Sequence, residues 1–239
     1  MDPRRARLWD AMNLGPRWEV RGAVPAASPA APPAIGPAAG ERVATIRRMD
    51  WNALEQAVAG CTACALHKTR KQTVFGVGNP RAHWMVVGEA PGAEEDAKGE
   101  PFVGQAGRLL DNMLAAVGLS REGEDARAIY IANVLKCRPP GNRNPEASEV
   151  ASCEPYLLRQ VALIQPRLIL VMGRFAAQSL LGTDATIASL RGRVHSIQVE
   201  GRAIPVIVTY HPAYLLRNLA DKAKSWADLC LAREVYARG

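Results

Sequence analysis

Five cysteines punctuate this chain: Cys61, Cys64, Cys137, Cys153 and Cys230. Cys61-Thr-Ala-Cys64 brings two thiols close enough to share one metal centre. Cys137 and Cys153 are separated by 15 residues, with Lys136, Arg138 and Arg143 nearby. In a reducing compartment such a set reads as metal or cluster ligation before disulfides. Four thiolates suit a tetrahedral zinc or an iron–sulfur cluster, and spacing alone does not choose between them. The plainer alternative is a redox CxxC beside unrelated buried thiols. A thioredoxin-type CxxC sits between a strand and a helix, however, whereas this one follows a predicted helix. Cys230 falls on the apolar face of a predicted helix and reads as core. Residues 136–146, KCRPPGNRNPE, carry three basic residues and three prolines with no acid before Glu146. That composition makes a rigid basic loop suited to phosphate contact, with a solvated turn as the alternative.

A second group of chemically able residues follows four short apolar runs. Gly88-Glu89-Ala90-Pro91-Gly92 follows 84–88, Asn133 ends 129–134, Gly173-Arg174 follows 167–172, and His211-Pro212 follows 205–209. The runs are β-branched and almost continuously apolar, as in strands buried on both faces. Helical patterns separate them. Residues 50–59 start at an Asp50 N-cap, and 105–117 place Leu109, Leu110, Met113, Leu114 and Val117 on one face. Residues 146–164 hold Pro155, where a kink or early break is expected; 174–181 and 221–236 complete the set. Strands alternating with helices predict an α/β fold with a parallel sheet covered on both sides. Residues 194–199 alternate and are expected to pair with 204–208 as a hairpin or edge strand. In such sheets ligands bind beyond the carboxyl ends of the strands, which is where these polar residues fall.

The 239 residues suffice for one ordinary domain with an appendage. With 48% hydrophobic and 22% charged residues, bulk disorder is excluded. No apolar run approaches the roughly 20 residues that span a bilayer. No apolar run follows Arg4, Arg5 and Arg7, so a secretory leader is not expected and a cytoplasmic location is. The net charge of +7 invites a polyanion, but more than half of it sits in residues 1–48, so charge alone decides little. Residues 24–40 hold five prolines and seven alanines and read as a linker without regular structure. The expected organisation is an N-terminal extension over 1–48, disordered or loosely docked, and a domain over 49–239. A monomer is the default.

Taken in order, several motifs resemble one family: Cys61-x-x-Cys64, Gly88–Gly92 with Glu94-Glu95-Asp96 after it, Pro101-Phe102-Val103-Gly104, Asn133 to Cys137 and on to Pro145, Cys153, and His211-Pro212-Ala213-Tyr214-Leu215-Leu216-Arg217. The pattern is similar to that of the family 4, iron–sulfur uracil-DNA glycosylases. It covers roughly residues 50–236. The resemblance implies a three-layer α/β/α sandwich around a four-stranded parallel sheet. It implies hydrolysis of the N-glycosidic bond of deoxyuridine in DNA, and a [4Fe-4S] cluster on Cys61, Cys64, Cys137 and Cys153.

That implied activity assigns roles. A uracil in duplex must be extruded into a pocket. Phe102 is the expected aromatic wall, and the Asn133 amide the reader of the N3–H and O4 edge. Gly88 and Ala90 belong to the turn that lines the pocket. Glu95 matches the position to which the family's exclusion of thymine is attributed. His211 is the expected donor to O2, where charge develops as the bond breaks. Glu89 is the nearest carboxylate for positioning water or stabilising the sugar cation, because Ala90 stands where many superfamily members carry Asp or Asn. Leu215 or Leu216 is expected to wedge into the duplex. Arg138, Arg143 and Arg217 are the expected phosphate contacts. No basic His-containing insert lies between Asn133 and Cys153, so no covalent adduct with DNA is expected. The competing reading is a non-catalytic DNA-binding or redox-sensing iron–sulfur protein, favoured by the alanine at position 90. A dinucleotide-binding module is disfavoured because Gly88–Gly92 lacks the required glycine spacing.

Overall fold

The computed structural model describes residues 37–238. Six strands form one sheet in the order β1-β3-β2-β4-β6-β5. The strands are β1 (Val77–Gly78), β2 (Trp84–Gly88), β3 (Ile129–Asn133), β4 (Leu168–Met172), β5 (Val194–Val199) and β6 (Arg202–Thr209). The four central strands, β3, β2, β4 and β6, are mutually parallel, as the apolar runs predict. Two antiparallel edge strands extend that expected core. β5 pairs with β6, Ile197 opposite Ile204, as its alternation anticipates. β1 pairs with β3 only at Tyr130 and Ile131.

The helices are α1 (Pro37–Arg48), α2 (Trp51–Ala59), α3 (Ala93–Lys98), α4 (Gln105–Ala116), α5 (Ala147–Ile164), α6 (Arg174–Leu181), α7 (Ile187–Leu190), α8 (Pro212–Leu215) and α9 (Lys222–Arg238). Alternate strand residues serve opposite faces of the sheet. Met85, Val87, Tyr130, Ala132, Ile169 and Val171 pack under Leu157 and Val161 of α5 and Ala176 and Ala177 of α6. Trp84, Val86, Ile129, Ile131, Leu168 and Leu170 pack under Leu110 and Leu114 of α4 and Leu229 and Ala232 of α9. The sheet is thus the middle of three layers. A third, smaller core joins Ile46, Leu54, Val58, Leu66, Phe75, Leu135 and Tyr156 around Cys137 and Cys153.

Two local readings change. The Pro/Ala-rich stretch reads as irregular through residue 40, yet α1 begins at Pro37, a proline tolerated at a helix start because its missing N–H has no helical partner there. Ile46 on α1 is 2% exposed, so the packed core reaches back before the expected start near Met49. Residues 1–36 lie outside the described residues. Pro155 neither ends nor divides α5, which runs unbroken for 18 residues. The carbonyl that loses its donor there is that of the exposed Ala151, which water can satisfy. No described helix is long and apolar enough to cross a membrane.

Candidate active site

The chain leaves β2 for β3 on one side and later returns to β4 on the other, so the carboxyl ends of these strands form a topological switch point. A cavity of about 420 Å³ opens there, lined by Glu89, Ala90, Glu95, Phe102, Asn133, Arg143, His211 and Arg217 among others. Residues more than a hundred positions apart in the chain thus share one wall.

Gly88 makes that convergence possible. A Cβ at this position would collide with Asn133 Oδ1 and lie 2.7 Å from Phe102 Cζ. Asn133 is paired with Gly88 in the parallel ladder, which fixes its depth. Its side-chain amide makes no hydrogen bond among the described residues, although Asn133 is buried. Asn133 lines the cavity, so a bound base would give its amide partners.

Phe102 holds a left-handed backbone conformation, φ 55°, rare for a bulky residue. Three contacts hold it there. Glu95 Oε1 accepts from Val103 N at 3.2 Å while Oε2 accepts from Gly92 N at 3.1 Å. Arg121 donates to Phe102 O at 3.1 Å and to Pro101 O at 3.3 Å, and is itself steadied by Asp111 at 2.8 Å. Gly107 completes the fit, since any Cβ there would overlap the Phe102 carbonyl. Glu95 therefore lines the cavity with both oxygens already engaged in joining the Gly88–Gly92 turn to the Phe102 loop. Arg121 is a site residue that sequence reading misses: nothing in its neighbourhood marks it, and its part is visible only once the loop folds back.

His211 stacks beside Phe102, ring centroids 5.3 Å apart and 25° between planes. It is the N-cap of α8, and its Nδ1 accepts from Ala213 N at 3.1 Å. A backbone N–H only donates, so Nδ1 carries no proton and Nε2 does. Burial pulls the His211 pKa down to about 4, with Glu95 raising it and Arg217 lowering it further. At neutral pH the ring is a neutral Nε2–H donor. Glu89 shows the opposite displacement: burial pushes its carboxyl up to about 6, partly countered by Arg174. Burial thus disfavours the charged form of both groups and reverses the usual order of carboxylate and imidazole, a perturbation that marks functional sites.

The remaining predicted residues divide. Arg143 and Arg217 line the cavity, but Arg143 also donates to Glu149 at 2.9 Å. Arg138 does not line it; its Nε donates to Asn142 Oδ1 at 2.7 Å and braces the basic loop. Leu215 is corrected: it is 1% exposed, packed in a groove with Leu109, Met113 and Leu229, and is core rather than wedge. Leu216 is 39% exposed.

On the far side of the Asn133 loop, Cys61, Cys64, Cys137 and Cys153 line a single void with Val58, Arg70, Lys136 and Tyr156. Three donors point at sulfur: Lys136 N to Cys153 Sγ at 3.2 Å, Arg70 Nη1 to Cys137 Sγ at 3.2 Å, and Arg42 Nη2 to Cys61 Sγ at 3.9 Å. Cys230 stands apart on α9 and is partly buried.

Comparison with known proteins agrees with this geometry. Residues 75–230 match the family model described as the uracil DNA glycosylase superfamily. The chain is 48% identical to a type-4 uracil-DNA glycosylase of Archaeoglobus fulgidus over 66% of this chain and 79% of that protein. It is 40% identical to one of Pyrobaculum aerophilum over 77% of this chain and 93% of that protein. It is 41% identical to one of Thermotoga maritima over 72% of this chain and 85% of that protein. The family match takes in Cys137, Cys153 and the cavity residues from Glu89 to Arg217, and begins after Cys61 and Cys64; this chain belongs to the uracil-DNA glycosylase superfamily, in its type-4 branch.

Proposed function

We propose that the cavity at the carboxyl ends of β2, β3 and β6 receives a uracil turned out of DNA, and that the chain hydrolyses its N-glycosidic bond, leaving an abasic site. The observation that carries this is the meeting of Phe102, Asn133, His211 and Glu89 around one cavity roomy enough for a pyrimidine. Extrusion costs unstacking, which is offset by seating the base. The Phe102 ring supplies a stacking face worth about 1–3 kcal/mol. The unpartnered Asn133 amide pairs with N3–H and O4 of uracil, an edge on which cytosine presents the opposite donor and acceptor. His211 donates its Nε2 proton to O2. As the bond breaks, negative charge grows on the base, and a donor fixed in place beforehand stabilises it without reorganisation.

On the sugar side, Glu89 is the carboxylate that positions the attacking water and faces the developing cation. With a pKa of about 6 it is mostly ionised at neutral pH, yet basic enough to draw a proton from water. Ala90 leaves the space that a water needs. Arg143 and Arg217 at the cavity rim suit phosphates, and the exposed Leu216 suits the gap left in the duplex. The protein acts as a monomer on this reading.

The four thiols fit an iron–sulfur cluster. They share one void with three N–H donors aimed at sulfur, the kind of contact that tunes such clusters. Cys61, Cys64, Cys137 and Cys153 would hold the cluster, which when bound would tie the 61–64 segment to the basic loop. No step of hydrolysis passes through it.

The test is direct. Purified protein is incubated with a uracil-containing oligonucleotide and the product is treated with alkali, while iron and sulfide are assayed on the same sample. Strand breakage at the uracil is expected. An iron-loaded protein that yields no breakage would overturn the enzyme reading in favour of a non-catalytic DNA-binding or redox-sensing protein.

A further inference from the structure

Lys136 is 1% exposed, and no carboxylate partners it among the described residues. Its Nζ donates to Asn133 O at 2.8 Å and to Gln160 Oε1 at 2.6 Å. The first acceptor is the backbone carbonyl of the residue that presents its amide to the cavity. The sheet explains why that carbonyl needs a donor. Val134 N donates to Gly88 O on the β2 side, and alternation turns Asn133 toward the β1 side. β1 ends its pairing at Ile131, so no strand reaches the Asn133 carbonyl. Lys136 takes the place of the missing strand.

The same residue is fixed from its other end. Its N–H donates to Cys153 Sγ at 3.2 Å, its carbonyl accepts from Val74 N at 2.8 Å, and the next residue is Cys137. Gln160 in turn donates to Phe75 O at 3.0 Å and to Tyr130 Oη at 3.3 Å, which leaves its oxygen facing the ammonium. One buried side chain therefore runs from the cysteine-lined void to the base-reading strand end.

We infer that Lys136 is a positioning residue for Asn133, holding the base-reading amide at its depth in the cavity and tying that depth to the four-cysteine site. This rests on the reading of the cavity as a uracil site. Asn133 is attached to β2 on one side through the backbone of Val134; without Lys136 its other side is free to tilt. A tilt at the strand end moves the amide relative to Phe102, and small misplacements of a recognition group are expensive in rate. The role differs from general packing: it should act on recognition of the base and leave contacts to the DNA backbone alone.

Lys136→Met keeps the unbranched stem of the side chain and removes its donors. Four quantities are measured: visible absorption with bound iron, affinity for free uracil by calorimetry, affinity for abasic DNA, and kcat and KM on a uracil-containing oligonucleotide. The expected result is iron content and abasic-DNA affinity within twofold of the parent, with free-uracil affinity about tenfold weaker. The rate loss should fall mainly on kcat. Unchanged uracil affinity in a folded, iron-loaded variant would overturn the inference. If Lys136→Met does not fold, the double variant Lys136→Met with Gln160→Leu decides, because it removes the donors to the Asn133 carbonyl together with the buried side-chain acceptor they would leave unpaired. Weaker uracil binding there supports the inference, and parental binding refutes it. If the parent itself neither binds uracil nor releases it from DNA, the function reading fails. If the parent does both and the variants match it, only the role of Lys136 fails.

Discussion

Gly88→Ala is the sharpest perturbation of the cavity, because it adds one methyl at the point where three chain segments meet. The Cβ would press into Asn133 Oδ1 and stand 2.7 Å from Phe102 Cζ and 2.8 Å from Cε2. Gly88 is not among the glycines with positive φ, so alanine meets no backbone obstacle and the effect is steric. Overpacking of this kind costs about 1–3 kcal/mol. Loss of glycine freedom in the unfolded chain returns about 0.4–1 kcal/mol, so the fold should survive with a net loss of at most about 2.6 kcal/mol. The cavity should not survive as well. Phe102 is locked by Glu95, Arg121 and Gly107, and Asn133 by Lys136, so neither retreats freely. A displacement of about 1 Å in a recognition group corresponds to about a hundredfold in rate. The assay is initial-rate release of uracil from a labelled oligonucleotide, beside a circular-dichroism melt of the same sample. A Gly88→Ala protein that melts like the parent and retains its kcat/KM would refute the claim that Asn133 and Phe102 work together across Gly88.

Further outcomes follow from the same geometry. The rate should rise with pH through about 6 as the Glu89 carboxylate ionises, then level off: activity at pH 5 is about a tenth of that at pH 7. Glu89→Gln should be slow and lack that limb; a limb that persists in it assigns the ionisation elsewhere. His211, neutral above a pKa of about 4, should add no limb between pH 5 and 8. Leu215→Ala should lose about 2–5 kcal/mol of stability, whereas Leu216→Ala should melt like the parent and bind DNA less tightly. Melts and DNA titrations of the pair would reverse that assignment if the effects were exchanged. Arg121→Ala should release the Phe102 loop and raise KM for uracil-containing DNA severalfold, read by steady-state kinetics, with kcat/KM on the parent scale as the contrary result.

Much of the fold was legible because a doubly covered parallel sheet demands continuous apolar strands, and four such runs are plain in the chain. β1 was not: two residues, one of them a glycine, leave no periodicity to read. The cavity residues were legible because each stands just past a strand's carboxyl end, the place where such sheets bind ligands. What sequence could not supply was direction. Leu215 and Leu216 are equivalent in type, and only the phase of the four-residue α8 buries one and exposes the other. The proton position on His211 depends on the Ala213 N–H, a backbone contact with no side-chain signature. Arg121 and Lys136 act through carbonyls, which every residue has, so their roles arise from the fold and not from the residues beside them. The start of α1 at Pro37 was hidden by composition, since a proline that opens a helix looks the same as one that prevents it.

The account rests on one cavity seating one base. A crystal of the protein soaked with free uracil tests it most directly. The account predicts density for a single pyrimidine against the Phe102 ring, its N3–H and O4 edge on the Asn133 amide and its O2 within hydrogen-bond reach of His211 Nε2. A vacant cavity at saturating uracil, or uracil bound with its O2 turned away from His211, would contradict it.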